Sequence, residues 1–290
     1  KNEGTIQIKA DGAGKSAAMY SLMESGTTEV MTTQNTKNIE VAQKASAGIY
    51  VKNESAQDKN NSLAENTGLV KMTGESSVGI IAEKSKATNS GTGANGIEIS
   101  GNSSAGILAT KESEVTNSGR IEGKTGTNLV GISVDNNSTV ANSGTITMGT
   151  ASNTGISTKG GDVTNSGTIT LSGATSTGIS SENTNVTNSV TTGKIEVKNG
   201  NSMGIYAKLA GNVNKTVSNA GKISLETPTG LSPVPQKSAA IYSLLDRIGV
   251  KANIIKHAIS MMIGLQYAPF VFILGALVSF EFIEVKEIKI

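Results

Sequence analysis

Asn165-Ser166-Gly167-Thr168-Ile169 is one copy of a phrase that recurs along the chain, and the recurrence decides the fold. It reads NSGRI at Asn117–Ile121, NSGTI at Asn142–Ile146 and NAGKI at Asn219–Ile223. Looser copies are NEGTI at Asn2–Ile6 and NTGLV at Asn66–Val70. Asn89-Ser90-Gly91 reaches its isoleucine only at Ile97, and Asn188-Ser189 only at Ile195. A second phrase, a small residue followed by Gly-Ile, supplies Ile49, Ile80, Ile107, Ile132, Ile156, Ile179 and Ile205. Met19 and Ile241 hold the same place in KSAAMYSL and KSAAIYSL. A third apolar position precedes each Asn: Val115, Val140, Val163, Val186 and Val217. From Ile49 the Gly-Ile isoleucines are 31, 27, 25, 24, 23 and 26 residues apart.

Each unit of about two dozen residues therefore holds three short apolar stretches separated by Gly, Asn and Ser. Thr168-Ile169-Thr170-Leu171 is too short for a helix, is rich in β-branched residues and is flanked by turn formers, so it reads as a strand. Strands that return at one period, too far apart for tight hairpins, imply stacked parallel strands. The predicted fold is all-β: a right-handed parallel β-helix of three short strands per coil and about nine coils, over residues 1–245. Successive coils lie about 4.8 Å apart, so the rod is roughly 40 Å long.

That geometry puts each inward side chain over its own copy. The Gly-Ile isoleucines are expected to form one inner column, the valines a second, and Ile121, Ile146, Ile169, Ile195 and Ile223 a third. Asn117, Asn142, Asn165, Asn188 and Asn219 are expected to line one corner as an amide ladder. Gly before each isoleucine is expected to supply positive φ or close backbone approach. Segments 52–61 and 94–104 are expected to carry loops that bulge from one face.

Composition agrees. Gly (34), Ser (34), Thr (32) and Asn (26) are about 43 per cent of the 290 residues, and aromatics are 3 per cent, so the core cannot be built on large rings. Cys and Trp are absent, which excludes a disulfide scaffold and thiolate chemistry. A net charge of +2 spread along the chain gives no concentrated basic field, so nucleic acid is not expected as a partner.

The Asn-Ser-Gly-Thr-Ile and Gly-Ile phrases resemble the passenger domains of large Gram-negative autotransporter adhesins, over residues 1 to about 243. The resemblance implies a type V secreted passenger displayed at the cell surface, with a role in attachment and no catalysis. It implies an outer-membrane translocator barrel outside these residues, and a host-cell or bacterial surface protein or glycan as partner. On this resemblance the chain is expected to be a passenger fragment, since it opens at Lys1 without a signal peptide.

After Thr227 the text changes. Pro228, Pro233 and Pro235 suggest a stiff linker, and beyond Asp246 the repeat is lost. Residues 258–280 carry no charge and are long enough to span a bilayer. Residues 246–290 therefore read as a membrane anchor, a buried apolar cap, or an out-of-frame end of the reading frame. The basic excess at Arg247, Lys251 and Lys256 would orient an anchor with the rod inside the cell, against the passenger reading.

Some β-helices cleave glycans, with clustered carboxylates or cations on one face. Asp11, Asp58, Asp135, Asp162 and Asp246 are the only aspartates and do not share a column, and Arg120 and Arg247 are the only arginines. His257 is the single histidine and lies in the tail, so the serines lack a triad partner. Asp11-Gly12 and Gly161-Asp162 read as plain turns rather than calcium turns, and Gly91-Thr92-Gly93 lacks a following Gly-Lys-Ser/Thr. No cofactor or metal is expected. Tyr50 and Tyr206 follow Gly-Ile directly, and Tyr20 and Tyr242 hold the matching place; they read either as local packing or as exposed contacts for sugar or protein.

Overall fold

The computed structural model describes residues 1–10, 14–56, 58–135, 137–211, 214–226, 238–245 and 252–256. The proline linker, Asp11, Asp246, His257 and the uncharged run 258–280 lie outside them, and with them the three readings of the tail. The described chain is a parallel β-solenoid of three sheets, each with nine strands and so eight steps of winding. Its one helical element among the described residues is a 3-10 turn at Lys59–Asn61.

The first sheet begins at Thr5–Ile8 and ends at Lys222–Leu225. It carries the isoleucine of the Asn-Ser-Gly phrase. Ile97, Ile121, Ile146, Ile169, Ile195 and Ile223 lie in register, one over the next. The second sheet runs from Ala17–Met23 to Ala239–Leu245 and stacks Met19, Ile49, Ile80, Ile107, Ile132, Ile156, Ile179, Ile205 and Ile241. The third runs from Met31–Asn35 to Ala252–Lys256 and stacks Val115, Val140, Val163, Val186 and Val217, extended backwards by Ala87 and Ala64. The seven Gly-Ile isoleucines from Ile49 to Ile205 are each 0% exposed. Burying each stabilises the rod by roughly 1.5–3 kcal/mol, without any large ring in the core.

The corner between the third and first sheets is the amide ladder. Asn117 Nδ2 donates to Asn142 Oδ1, Asn142 to Asn165, Asn165 to Asn188 and Asn188 to Asn219, each at 2.7 Å. The ladder is longer than the five expected residues. It starts at Asn2 and passes through Asn35, Asn66 and Asn89 before Asn117, with bonds of 2.7–2.9 Å. At its far end Asn219 Nδ2 is buried with no partner among the described residues, and the next register position is Lys256.

The other two corners use hydroxyls. Ser46 N donates to Ser77 Oγ at 3.2 Å, Ser77 N to Ser104 Oγ at 3.1 Å, and Ser176 N to Ser202 Oγ at 3.0 Å. At the remaining corner Ser85 N donates to Ser113 Oγ and Ser113 N to Ser138 Oγ, both at 3.0 Å. Leu129 interrupts the first series, yet its N–H is satisfied by Asn153 Oδ1 at 2.8 Å. The exchange has a packing cause. Gly123 leaves a gap in an inner column that Ile99 and Met148 occupy in the adjoining coils, and fully buried Leu129 fills it. A Cβ on Gly123 would stand 2.8 Å from Leu129 Cδ1.

Of the two reasons expected for Gly before the isoleucine, close approach holds and positive φ does not, and the expected loop at 94–104 is corrected. Positive φ is not the reason for Gly before the isoleucine, since none of these glycines has it. The left-handed turn falls four residues before each isoleucine, on Ala45, Ser76, Ser103, Asn128, Ser152, Thr175 and Asn201, with φ of 50–60°. Glycine is needed for close approach: a Cβ on Gly155 would sit 2.6 Å from both Gly178 O and Ile169 Cγ2. Segment 94–104 is not a bulging loop either, because Gly96–Ile99 is a strand paired on both sides. The extra residues after Asn89 turn at Gly93 (φ 62°) and Gly96 (φ 106°), which returns Ile97 to its column.

Asn142→Ala strands the Asn117 donor and the Asn165 acceptor in the interior, and should destabilise the chain by about 2–4 kcal/mol. Thr147→Ala, on the half-buried outer face, should stay within about 0.5 kcal/mol. Urea unfolding followed by circular dichroism checks this; equal midpoints for the two variants would remove the ladder's stabilising role.

Candidate functional site

Inward and corner positions repeat from coil to coil, so chemistry is left to the outward rows. Outward positions of the first sheet run in register as Gln7, Glu40, Lys71, Glu98, Glu122, Thr147, Thr170 and Glu196. Two features stand on this row. One is a cleft of about 220 Å³ bounded by Gln7, Lys9, Glu40, Lys71 and Thr73, where Gln7 Nε2 donates to Glu40 Oε2 at 3.0 Å.

The other is a charged quartet. Glu98 and Glu122 are stacked neighbours, and Arg120 bridges them: Nη2 meets Glu98 Oε1 at 2.8 Å while Nη1 binds Glu122. Lys124 Nζ adds contacts at 3.1 Å to Glu98 and 3.8 Å to Glu122. Burial on its own would raise the Glu98 carboxyl, but Arg120 and Lys124 outweigh it and hold the group below its usual range. Glu196 follows the same logic, with burial opposed by Lys194 and Thr170. A general acid at neutral pH needs the opposite displacement. The two carboxylates of the quartet are neutralised by the two cations beside them. Among the described residues no group of three or more His, Cys, Asp or Glu could hold a metal ion.

The sequence reading missed this quartet. It searched aspartates and arginines, whereas the signal is Ile-Glu repeated at Ile97-Glu98 and Ile121-Glu122 with a cation on each side of Ile121-Glu122. Of the residues singled out for chemistry, Asp135 and Asp162 are not brought together with it. Asp162 instead accepts from Asn185 Nδ2 at 3.1 Å, and Lys215 lies 3.7 Å away.

The second sheet presents the other outward row. Tyr20, Tyr50, Ile81, Leu108, Ser133, Ser157, Ser180, Tyr206 and Tyr242 are successive register partners. Every aromatic side chain of the described residues is in this one row. Tyr20 is 54% exposed and Tyr242 40% exposed. Tyr20 and Tyr50 meet edge to face at 5.2 Å, and Tyr206 stacks on Tyr242 at 5.7 Å with an interplanar angle of 12°. Burial and the hydrogen bond to Glu83 push the Tyr50 phenol up.

Because the Glu98 carboxyl is lowered from 4.5, its pairing stabilises the fold fully above that value, and the contribution disappears as pH falls through the folded pKa. On acidification from about pH 5 the unfolding midpoint of the wild type should therefore fall more steeply than that of Glu98→Gln. Parallel slopes would show that the quartet does not stabilise the fold.

No helix among the described residues is long and apolar enough to cross a membrane. Searches of curated proteins and of solved structures found no match to the chain. The family model of the BigA third pectate lyase-like domain matches residues 1–184, which is more than half of the chain and spans the tyrosine pair Tyr20–Tyr50, the cleft and the quartet. With its three-sheet solenoid and this match, the chain belongs to the family of BigA third pectate lyase-like domains.

Proposed function

We propose that this chain is the displayed solenoid of a bacterial surface protein and acts in attachment, not in catalysis. Family membership points to a bacterial surface protein with a β-helix. One observation carries the attachment reading. Inward and corner residues repeat, whereas the outward row of the second sheet changes from Tyr to Ile and Leu to Ser and back to Tyr over nine coils. Such a rod holds varied side chains at a fixed spacing on a rigid face, which is what a contact surface requires. Within this reading the domain is delivered by type V secretion, stays at the outer membrane, and meets a surface protein or glycan of a host or bacterial cell.

A second reading, a glycan-cleaving enzyme, is favoured by the quartet of Glu98, Arg120, Glu122 and Lys124 on one face. The two readings separate in one pair of assays on the full chain. Beads coated with the protein should bind epithelial cells or Gram-negative cells saturably, with competition by soluble chain. Polygalacturonate incubated with the protein should yield no unsaturated uronide. Absence of any cell binding overturns the attachment reading. Turnover that Arg120→Met abolishes would replace it with the enzymatic one.

A further inference from the structure

The tyrosine row admits a more specific statement, which rests on the attachment reading and deepens it. We propose that Tyr20 and Tyr50 form a platform for an uncharged, extended oligosaccharide. The ring of Tyr20 is more than half exposed on the outer face of a sheet. It is not loose, because its ring meets Tyr50 at 5.2 Å and 64°. Tyr50 is anchored in turn by its hydroxyl, which donates to the Glu83 carboxylate. Glu83 is held by Lys111 Nζ at 2.8 Å. The result is a prearranged pair of rings with a fixed carboxylate and ammonium at its rim.

Ligand class follows from shape and charge. Tyr20, Tyr50 and Ile81 form a strip that spans two coil steps, about 10 Å. The next outward row holds Lys52 and Glu83 in register, and each is paired with an opposite charge, Glu54 and Lys111. A balanced rim gives no field for a polyanion. A short strip of three side chains with charges along one edge is also a poor match for the broad apolar centre of a protein interface. A pyranose suits both parts: its C–H face lies on an aromatic ring, and its hydroxyls reach donors and acceptors at the edge. A linear glycan repeats that demand at regular spacing, as the coils do.

The test uses the full chain with cellohexaose and chitohexaose as probes, read by saturation-transfer NMR and calorimetry, and polygalacturonate as the charged comparison. At least one neutral hexasaccharide should bind with a Kd of about 1 mM or tighter. Tyr20→Ala and Tyr50→Ala should each weaken it at least about tenfold. Tyr20→Phe should retain binding, and Thr147→Ala on the first sheet should leave it unchanged. Circular dichroism of each variant verifies the fold. Failure of both neutral probes, tighter binding of polygalacturonate, or full affinity in folded Tyr20→Ala overturns the platform. The bead assay tells the two ideas apart. If Tyr20→Ala beads still bind cells while no glycan binds, the platform fails and attachment stands. If glycan binds and no cell does, the reverse holds.

Discussion

The side-chain amide of one coil bonded to the same amide of the next is the constraint on which the rest of this structure depends. A bond of 2.7 Å between Asn142 Nδ2 and Asn165 Oδ1 forms only if the two asparagines are vertically aligned. Once they are, the isoleucine four positions later is aligned as well, and its neighbours alternate inward and outward in phase. A slip of one residue would turn every inner isoleucine to solvent and every outward Glu or Tyr into the core. The buried amides make such a slip more costly still, because each would lose both a donor and an acceptor partner in the interior. Register is thus held twice, by apolar stacking along the sheets and by polar stacking at the corners.

The parts of this architecture that were legible in the sequence are those where the two kinds of stacking coincide in one phrase. Asn-Ser-Gly-x-Ile names a ladder residue and a column residue together, so five asparagines and three columns could be placed in advance. Where substitution keeps the packing but changes the letter, the signal fades. Ala64 and Ala87 stand in the valine column, and Val70 stands in the isoleucine column. The serine ladders were hidden for another reason. With 34 serines in the chain, Ser46, Ser77 and Ser104 are unremarkable as letters, and only coordinates show each backbone N–H meeting the next hydroxyl. The repeated glycine could be read only as positive φ or close approach, because both leave the same residue in the sequence, and the structure selects close approach. The quartet at Arg120 was missed because it occurs once, and a period reveals nothing that does not repeat.

This division of labour bears on function. Residues that repeat build the rod, and residues that do not repeat are free to meet something else. Gly123 and Leu129 show how far the first group can be exchanged: a side chain missing from one column is replaced from the adjacent corner, and the Leu129 N–H donates to Asn153 Oδ1 where the series elsewhere uses a serine hydroxyl. Filled volume is what the core maintains here, not particular residues. On the outward rows no such compensation is needed. Charges there are matched locally, as Glu98 with Arg120 and Lys124, and Glu83 with Lys111.

A solenoid in which each coil touches only the coils beside it confines the effect of an outward substitution to its own surroundings. Tyr20 can therefore be changed with little consequence for Ile132 or Asn165, which is not true of a globular core with shared contacts. The same locality explains why the end of the ladder matters. Among the described residues Asn219 is the ladder asparagine whose buried amide donor meets no acceptor, and the residue in register beyond it is Lys256. Every coil before it offers an asparagine oxygen at that height. Among the described residues the amide ladder reaches Asn219, while the backbone pairing of the third sheet goes on from Lys215–Asn219 to Ala252–Lys256.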